Sequence, residues 1–269
     1  MKISSLKLYA LAYLVFLYAP IFLLPLFAFN DGTIIAFPLK GFTTDWFAKM
    51  AENDTLRHAL TNSLIIAVTS SAGATILAVF AARASTRYKF KGKGGIMGLI
   101  MLPMVLPDIL MGMSLLLVML EVLRVNLSIA TVILGHVIIS LPYAIAVLQT
   151  AFATLDQSLE EAAVDLGETR MSTFRLIVLP LVMPGIISAF LISFTISLDE
   201  FIVAFFLAGN QPTLPTYIFS QLRFPSAIPV IMALGTCLVA ASILLLSVAE
   251  FFRRRGIKRT GAKDTGGFL

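Results

Sequence analysis

The chain has 269 residues, of which 58% are hydrophobic and only 13% charged, and its mean hydropathy is +0.94. Soluble domains are about a quarter charged, so this composition excludes an ordinary soluble enzyme, and the net charge of +5 does not point to nucleic acid because the basic residues gather at the ends of apolar runs. The single cysteine, Cys237, excludes an intramolecular disulfide, and two histidines leave no metal-ligand spacing.

A bilayer-spanning helix needs about 20 mostly apolar residues. Leu8–Asn30, His58–Ala82, Asn126–Leu155 and Phe224–Ala249 contain no Asp, Glu, Lys or Arg. Two further runs carry acids at Asp108 and at Asp199-Glu200. The pattern predicts an all-α, polytopic membrane protein with six spans, at about 9–29, 61–82, 96–120, 129–150, 184–207 and 229–251, in one transmembrane domain over 1–255. The Lys-, Thr- and Gly-rich stretch 256–269 reads as a disordered cytoplasmic tail. The first run exceeds the apolar core of a signal peptide and reads as a retained span.

After the first span, Asp45-Trp46-Phe47 suits a short helix lying on the membrane, with its aromatics at headgroup level. In the third run, Pro103 and Pro107 precede Asp108, and Met97, Met101, Met104, Met111, Met113 and Met119 read as lipid-facing or core. His136 in the fourth run reads as a packing or hydrogen-bonding residue. Across Asp199-Glu200 no Gly or Pro turns the chain, so one continuous fifth span is expected there. On that helix Ser188, Thr195 and Asp199 share one stripe, and Ser193, Ser197 and Glu200 share another about 100° away.

Acids at bilayer depth cost on the order of 2.5–3.5 kcal/mol on insertion scales and usually face a cavity or partner. Asp108, Ser197, Asp199 and Glu200 are therefore candidates for a solute pathway. The competing reading for each acid is structural: a bond to a neighbouring helix, to a freed N–H or to a protonated partner.

Residues 151–183 form the largest polar segment between spans. Ser158-Leu159-Glu160-Glu161 reads as a capping box, with Ser158 bonding forward and Glu161 back. Leu159, Ala162/Ala163 and Leu166 fall on one stripe. Gly167 then stops the helix, Thr169 caps a second short helix, and Pro180 ends it. As pattern alone, this could be a surface hairpin or a knob for a partner.

The string Glu161-Ala162-Ala163, three residues, Gly167, nine residues, Ile177-Val178-Leu179-Pro180 resembles the EAA signature, EAA-x3-G-x9-I-x-L-P, of bacterial ABC importer permeases. Leu106-Pro107-Asp108-Ile109-Leu110-Met111, Ser197-Leu198-Asp199-Glu200-Phe201 and Gly41-Phe42-Thr43-Thr44-Asp45-Trp46 look like the permease subunits of spermidine/putrescine importers. The resemblance implies the type I importer permease fold, multi-pass in the bacterial cytoplasmic membrane. It implies a second permease, two ATPase subunits and a periplasmic or extracellular substrate-binding protein as partners. Glu160, Glu161, Ala162, Ala163, Leu166, Gly167, Ile177, Leu179 and Pro180 would then couple the chain to the ATPase. No cofactor is expected in this chain, because Gly92-Lys93 lacks the spacing and hydroxyl of a phosphate-binding loop; ATP and Mg would sit on the partner subunits. The solute most in keeping with the resemblance is a polyamine; an amino-acid derivative or opine is the alternative. A channel or stand-alone transporter would have no use for a coupling helix, and an embedded enzyme would need convergent catalytic groups.

Orientation follows from basic residues, which favour the cytoplasmic side. With both termini inside, fifteen of the twenty Lys and Arg are cytoplasmic, including Arg83, Arg87, Lys89, Lys91 and Lys93, whereas Lys40, Lys49, Arg57, Arg124 and Arg223 lie outside. A Lys263→Cys variant in a Cys237→Ser background is thus expected to resist an impermeant thiol reagent in intact cells; labelling from outside would overturn the topology.

Overall fold

The computed structural model describes residues 5–260. The chain forms two compact units, Met1–Asp54 with Ile218–Leu269, and Thr55–Tyr217, where the sequence suggested one domain. Among the described residues every regular element is helical, and the loops between them carry one isolated bridge, between Asn30 and Phe42. Among the same residues five helices are long and apolar enough to cross a membrane, and a bent pair can supply a sixth crossing.

In the first unit, α1 (Ser5–Ala28) packs its last turn, with α2 (Asp45–Ala51), on α12 (Ile228–Thr260). Ala28, Trp46 and Ala233 are the buried contacts. Trp46 is buried, and its Nε1–H donates to the Asn30 carbonyl at 2.8 Å, so the polar end of the indole is bonded within the protein. Most of α1 exposes apolar side chains such as Leu6, Tyr9 and Phe16, as a lipid-facing helix requires. Helix α12 continues through 256–260, so that part of the expected tail is helical; 261–269 lie outside the described residues.

The second unit holds α3 (Asp54–Arg87), α4 (Lys93–Met101), α5 (Asp108–Leu117), α6 (Ile129–Ala153), α7 (Gln157–Asp165), α8 (Arg170–Thr173), α9 (Leu179–Asp199) and α10 (Ile202–Leu207), and ends within α11 (Leu214–Gln221). Two apolar clusters fill it. One gathers Ile66, Met111, Leu115, Val132, Val203 and Leu207. The other gathers Ala78, Ala144, Leu148, Phe152, Val178 and Ala189. Of the methionines read as lipid-facing or core, Met111 and Met119 are core, while Met104 and Met113 are exposed.

Two expected spans are broken. The third bends by 107° between Met104 and Asp108. Pro107 has no N–H to donate and disfavours helix at the residue before it, so the chain turns there. The fifth, expected to run 184–207, ends at Asp199, and α10 starts afresh at Ile202. No Gly or Pro is needed for this break. Glu200 adopts φ −69°, ψ 112°, and its Oε1 accepts the Val203 N–H at 3.0 Å. The carboxylate replaces the carbonyl that a continuous helix would have supplied. At its other end α9 is longer than expected, because Arg170–Asp199 forms one 30-residue helical span.

Small residues set the helix spacing. A Cβ on Gly135 would lie 2.7 Å from both Val203 Cγ1 and Leu207 Cδ1, and one on Gly112 would lie 2.6 Å from the Phe206 ring. Gly135→Val is therefore expected to destabilise the chain by about 1–3 kcal/mol through overpacking. The check is the thermal midpoint of the purified chain in nanodiscs.

Candidate functional site

The segment that carries the EAA string starts at a cap other than the one expected. Helix α7 begins at Gln157, and Asp156 is its N-cap, with Oδ1 accepting the Ser158 N–H at 3.0 Å. Ser158 lies inside the first turn, so the Ser158/Glu161 capping box does not form; Glu161 Oε1 accepts from Gln157 Nε2 at 3.1 Å instead. The backbone N–H of Ser158, then its hydroxyl, holds the Asp156 carboxyl below the usual aspartate range. The cap is thus charged at neutral pH, and its contribution disappears only as pH falls through that lowered value.

The end of α7 follows the sequence. Gly167 has φ +93°; its N–H bonds the Val164 carbonyl and the Glu168 N–H bonds the Ala163 carbonyl, both at 3.0 Å. These two bonds are a Schellman cap. Nothing lies within 4 Å of a Cβ built on Gly167, so the demand for glycine is conformational and not steric. Thr169 Oγ1 accepts the Ser172 N–H at 3.2 Å and caps α8. Pro180 does not end the helix. Phe174–Val178 form a π-helical turn that runs on into α9; helix-terminus and π geometry tolerate a residue without a donor. Within the motif, Ile177 and Leu179 are half-buried and Pro180 exposed, while the unspecified position between them, Val178, is fully buried.

The stripe divides into two faces. Leu159, Ala162 and Leu166 are exposed, with Leu166 at 87%, and Met171 on α8 is 74% exposed. Ala163 and Glu160 turn inward. Glu160 meets two arginines one turn apart at the end of α3: Arg83 Nη2 lies 3.2 Å from Oε2, and Arg87 Nε lies 3.0 Å from Oε1. Arg87 also donates to the Leu155 carbonyl at 2.9 Å, and Arg83 stacks 4.4 Å over the Phe174 ring. These three side chains fasten α7, the segment before it and the π turn to one span. Beside them opens a cleft of about 350 Å³ lined by Tyr88, Glu161, Asp165 and Arg170 among others. By sequence Arg83 and Arg87 are orientation charges; their i, i+4 spacing is the available signal for a shared anion.

The second constellation lies where the two spans break. Asp108 opens α5, Asp199 closes α9 and Glu200 precedes α10. Helices α5 and α10 pack closely through Gly112 against Phe206 and Ile202, which sets the start of α5 near the start of α10 and the end of α9 that precedes it. The structure thus brings the three acids together. Asp108 and Asp199 are exposed and Glu200 half-buried. Acids favour helix starts, each of which carries roughly half a positive charge. Two such starts balance about one of three carboxylates, so a surplus of negative charge remains. Ser197, grouped with the acids in the sequence, does not join them. It is 4% exposed and bonds Ser70 Oγ at 2.8 Å and His136 Nδ1 at 2.7 Å. The two-stripe reading of α9 accounts for this: Ser188, Thr195 and Asp199 are exposed, and Ser193 and Ser197 face the bundle.

Residues 74–259 match the family described as binding-protein-dependent transport system inner membrane component. The chain belongs to that family. It is 34% identical over 251 residues to the putrescine transport system permease protein PotI of Escherichia coli K12, covering 91% of this chain and 89% of that one. It is 34% identical over 241 residues to the spermidine/putrescine transport system permease protein PotC of Haemophilus influenzae, covering 89% and 93%. The backbone resembles a bacterial ABC transporter that imports the acidic polysaccharide alginate, with a TM-score of 0.70 at 14% identity, covering 91% of this chain and 94% of that one. That likeness speaks to the fold, and it agrees with the importer permease architecture expected from the EAA string.

Glu160→Gln removes the charge that both arginines share. It is expected to cost about 1–2 kcal/mol, between the values of exposed and buried pairs, and to loosen α7 from α3. Thermal unfolding reads the first effect, and faster amide exchange over 157–165 than in the parent chain reads the second.

Proposed function

We propose that this permease imports a polyamine of the spermidine/putrescine type, driven by ATP hydrolysed on separate subunits. The observation that carries the solute is the gathering of Asp108, Asp199 and Glu200 at two broken spans. A polyamine is a flexible methylene chain with two or more ammonium groups. Its path needs carboxylates in an otherwise apolar setting, where reduced dielectric strengthens each pairing. Broken spans at membrane depth are where transporters commonly place such groups. An anion would meet a surplus of negative charge. The identity to putrescine and spermidine/putrescine permeases along most of the chain supports the same solute class.

In this reading the chain lies in the bacterial inner membrane with both termini in the cytoplasm. It works with a second permease, two ATPase subunits that hold ATP and Mg, and a periplasmic binding protein. Leu159, Ala162, Leu166 and Met171 are the knob presented to an ATPase. Gly167 and the Glu160–Arg83–Arg87 clamp make the knob rigid with α3 and the span Arg170–Asp199. Closure of the ATPases would move that span and alternate access to the acids. The chain itself performs no covalent chemistry.

The test is uptake of labelled putrescine by proteoliposomes holding this permease with its partner subunits. The double variant Asp199→Asn, Glu200→Gln is expected to lower uptake by on the order of tenfold or more, since each lost pairing of about 1.4 kcal/mol is tenfold, with assembly and basal ATP hydrolysis retained. Wild-type uptake by an assembled double variant would overturn the solute reading. Gly167→Val is expected to reduce uptake and the yield of the complex together, because a β-branched residue resists a positive φ.

A further inference from the structure

Between the two apolar clusters of the second unit lies a polar layer. On α3, Ser70, Ser71 and Thr75 fall between Ile66 of one cluster and Ala78 of the other. On α6, His136 and Ser140 fall between Val132 and Ala144. On α9, Ser193 and Ser197 follow Ala189, and Val203 lies beyond the break. All seven side chains are buried: Ser70, Ser71, Ser140 and Ser193 at 0%, His136 at 1%, Ser197 at 4% and Thr75 at 5%. The three helices meet here directly, through Ser70 to Ser197, Ser197 to His136, and Gly73 against Val137.

The hydrogen bonds leave a specific remainder. Ser71 donates to the Ala67 carbonyl at 2.6 Å. Ser70 donates to Ser197; the Ser197 proton is then free to go to His136 Nδ1. That order makes Nδ1 the acceptor and puts the imidazole proton on Nε2. Yet His136 Nε2, Ser140 Oγ, Ser193 Oγ and Thr75 Oγ1 have no hydrogen-bond partner among the described residues. A buried polar group left bare carries its whole desolvation cost, and four together would rival the stability of a domain. Something bonds them.

We propose that this layer is an internal water site, in which ordered water bridges His136 Nε2 to the hydroxyls of Ser140, Ser193 and Thr75. The group set selects the occupant. It is neutral and mixes an N–H donor with hydroxyls that both donate and accept, which matches water's own donors and acceptors. A hard cation would require charged or carbonyl oxygens. A bare anion would find no fixed positive charge, and an apolar molecule would leave the same four groups unbonded. Water also explains why a polar layer persists between two dry clusters, since bridged groups keep their bonds when packed helices shift by fractions of an ångström.

The test turns on a sign. Thr75→Val keeps the shape of the side chain and removes only the hydroxyl. If water bonds Thr75, the variant strands that water and lowers the thermal midpoint of the full-length chain in nanodiscs, by roughly 2–4 °C. If Thr75 sits bare against dry neighbours, the same change relieves a desolvation cost and the midpoint stays or rises, which overturns the proposal. A high-resolution map of the wild-type chain gives an independent reading. Density within hydrogen-bond reach of His136 Nε2 and at least one of the three hydroxyls supports the site, while a layer closed by direct side-chain bonds overturns it.

Discussion

In a bilayer every backbone N–H and C=O must be bonded within the protein, and the second unit is organised around the two places where this rule is strained. The third span turns at Pro107, a residue with no N–H to satisfy. The fifth breaks at Glu200, whose carboxylate bonds the Val203 N–H and opens a new short helix. Each break leaves a helix start with partial positive charge, and each start has an acid beside it. Because α5 and α10 pack closely through Gly112, the two breaks lie near each other and so do their acids. Only the Glu200 carboxyl bonds a freed N–H, and the three acids together outnumber the partial positive charges of the two helix starts.

At the other end of the same span the problem is rigidity. Three local devices hold α7 and α8 in place: the Asp156 cap, the Schellman turn at Gly167 and the Thr169 cap. The fourth device is long-range. Glu160 ties α7 to arginines 77 and 73 residues earlier in the chain. From Arg170 the helix then runs unbroken to Asp199, about 45 Å at 1.5 Å per residue. The exposed apolar knob and the acid cluster therefore stand at opposite ends of one rod.

Between those ends, the packing of α9 against α3 and α6 changes character along its length. Dry clusters with small residues at the contacts, such as Gly185 against Ala151, bring helices together by van der Waals contact, the main attraction available in lipid. The polar layer around His136 and Ser197 adds directional hydrogen bonds that join α3, α6 and α9.

The sequence by itself determined what depends on neighbours a few residues apart. Apolar runs set the helical membrane class, the spacing from Glu161 to Pro180 pointed to the importer-permease family, and Gly167 announced its positive φ. The two-stripe reading of α9 foresaw that Ser193 and Ser197 would part from Asp199, although it did not say which stripe faces the bundle. Tertiary structure decided whatever rests on competition between partners. Asp156 displaced Ser158 as the cap because its carboxylate reaches the Ser158 N–H first. Glu200 broke a helix that lacks Gly and Pro because a side chain can stand in for a carbonyl, an option invisible to rules about breakers. Trp46 found the Asn30 carbonyl, and Arg83 and Arg87 became a clamp because folding carried Glu160 to them. Short-range pattern records the backbone's preferences; which polar group bonds which is settled only when distant segments arrive within about 3 Å of each other.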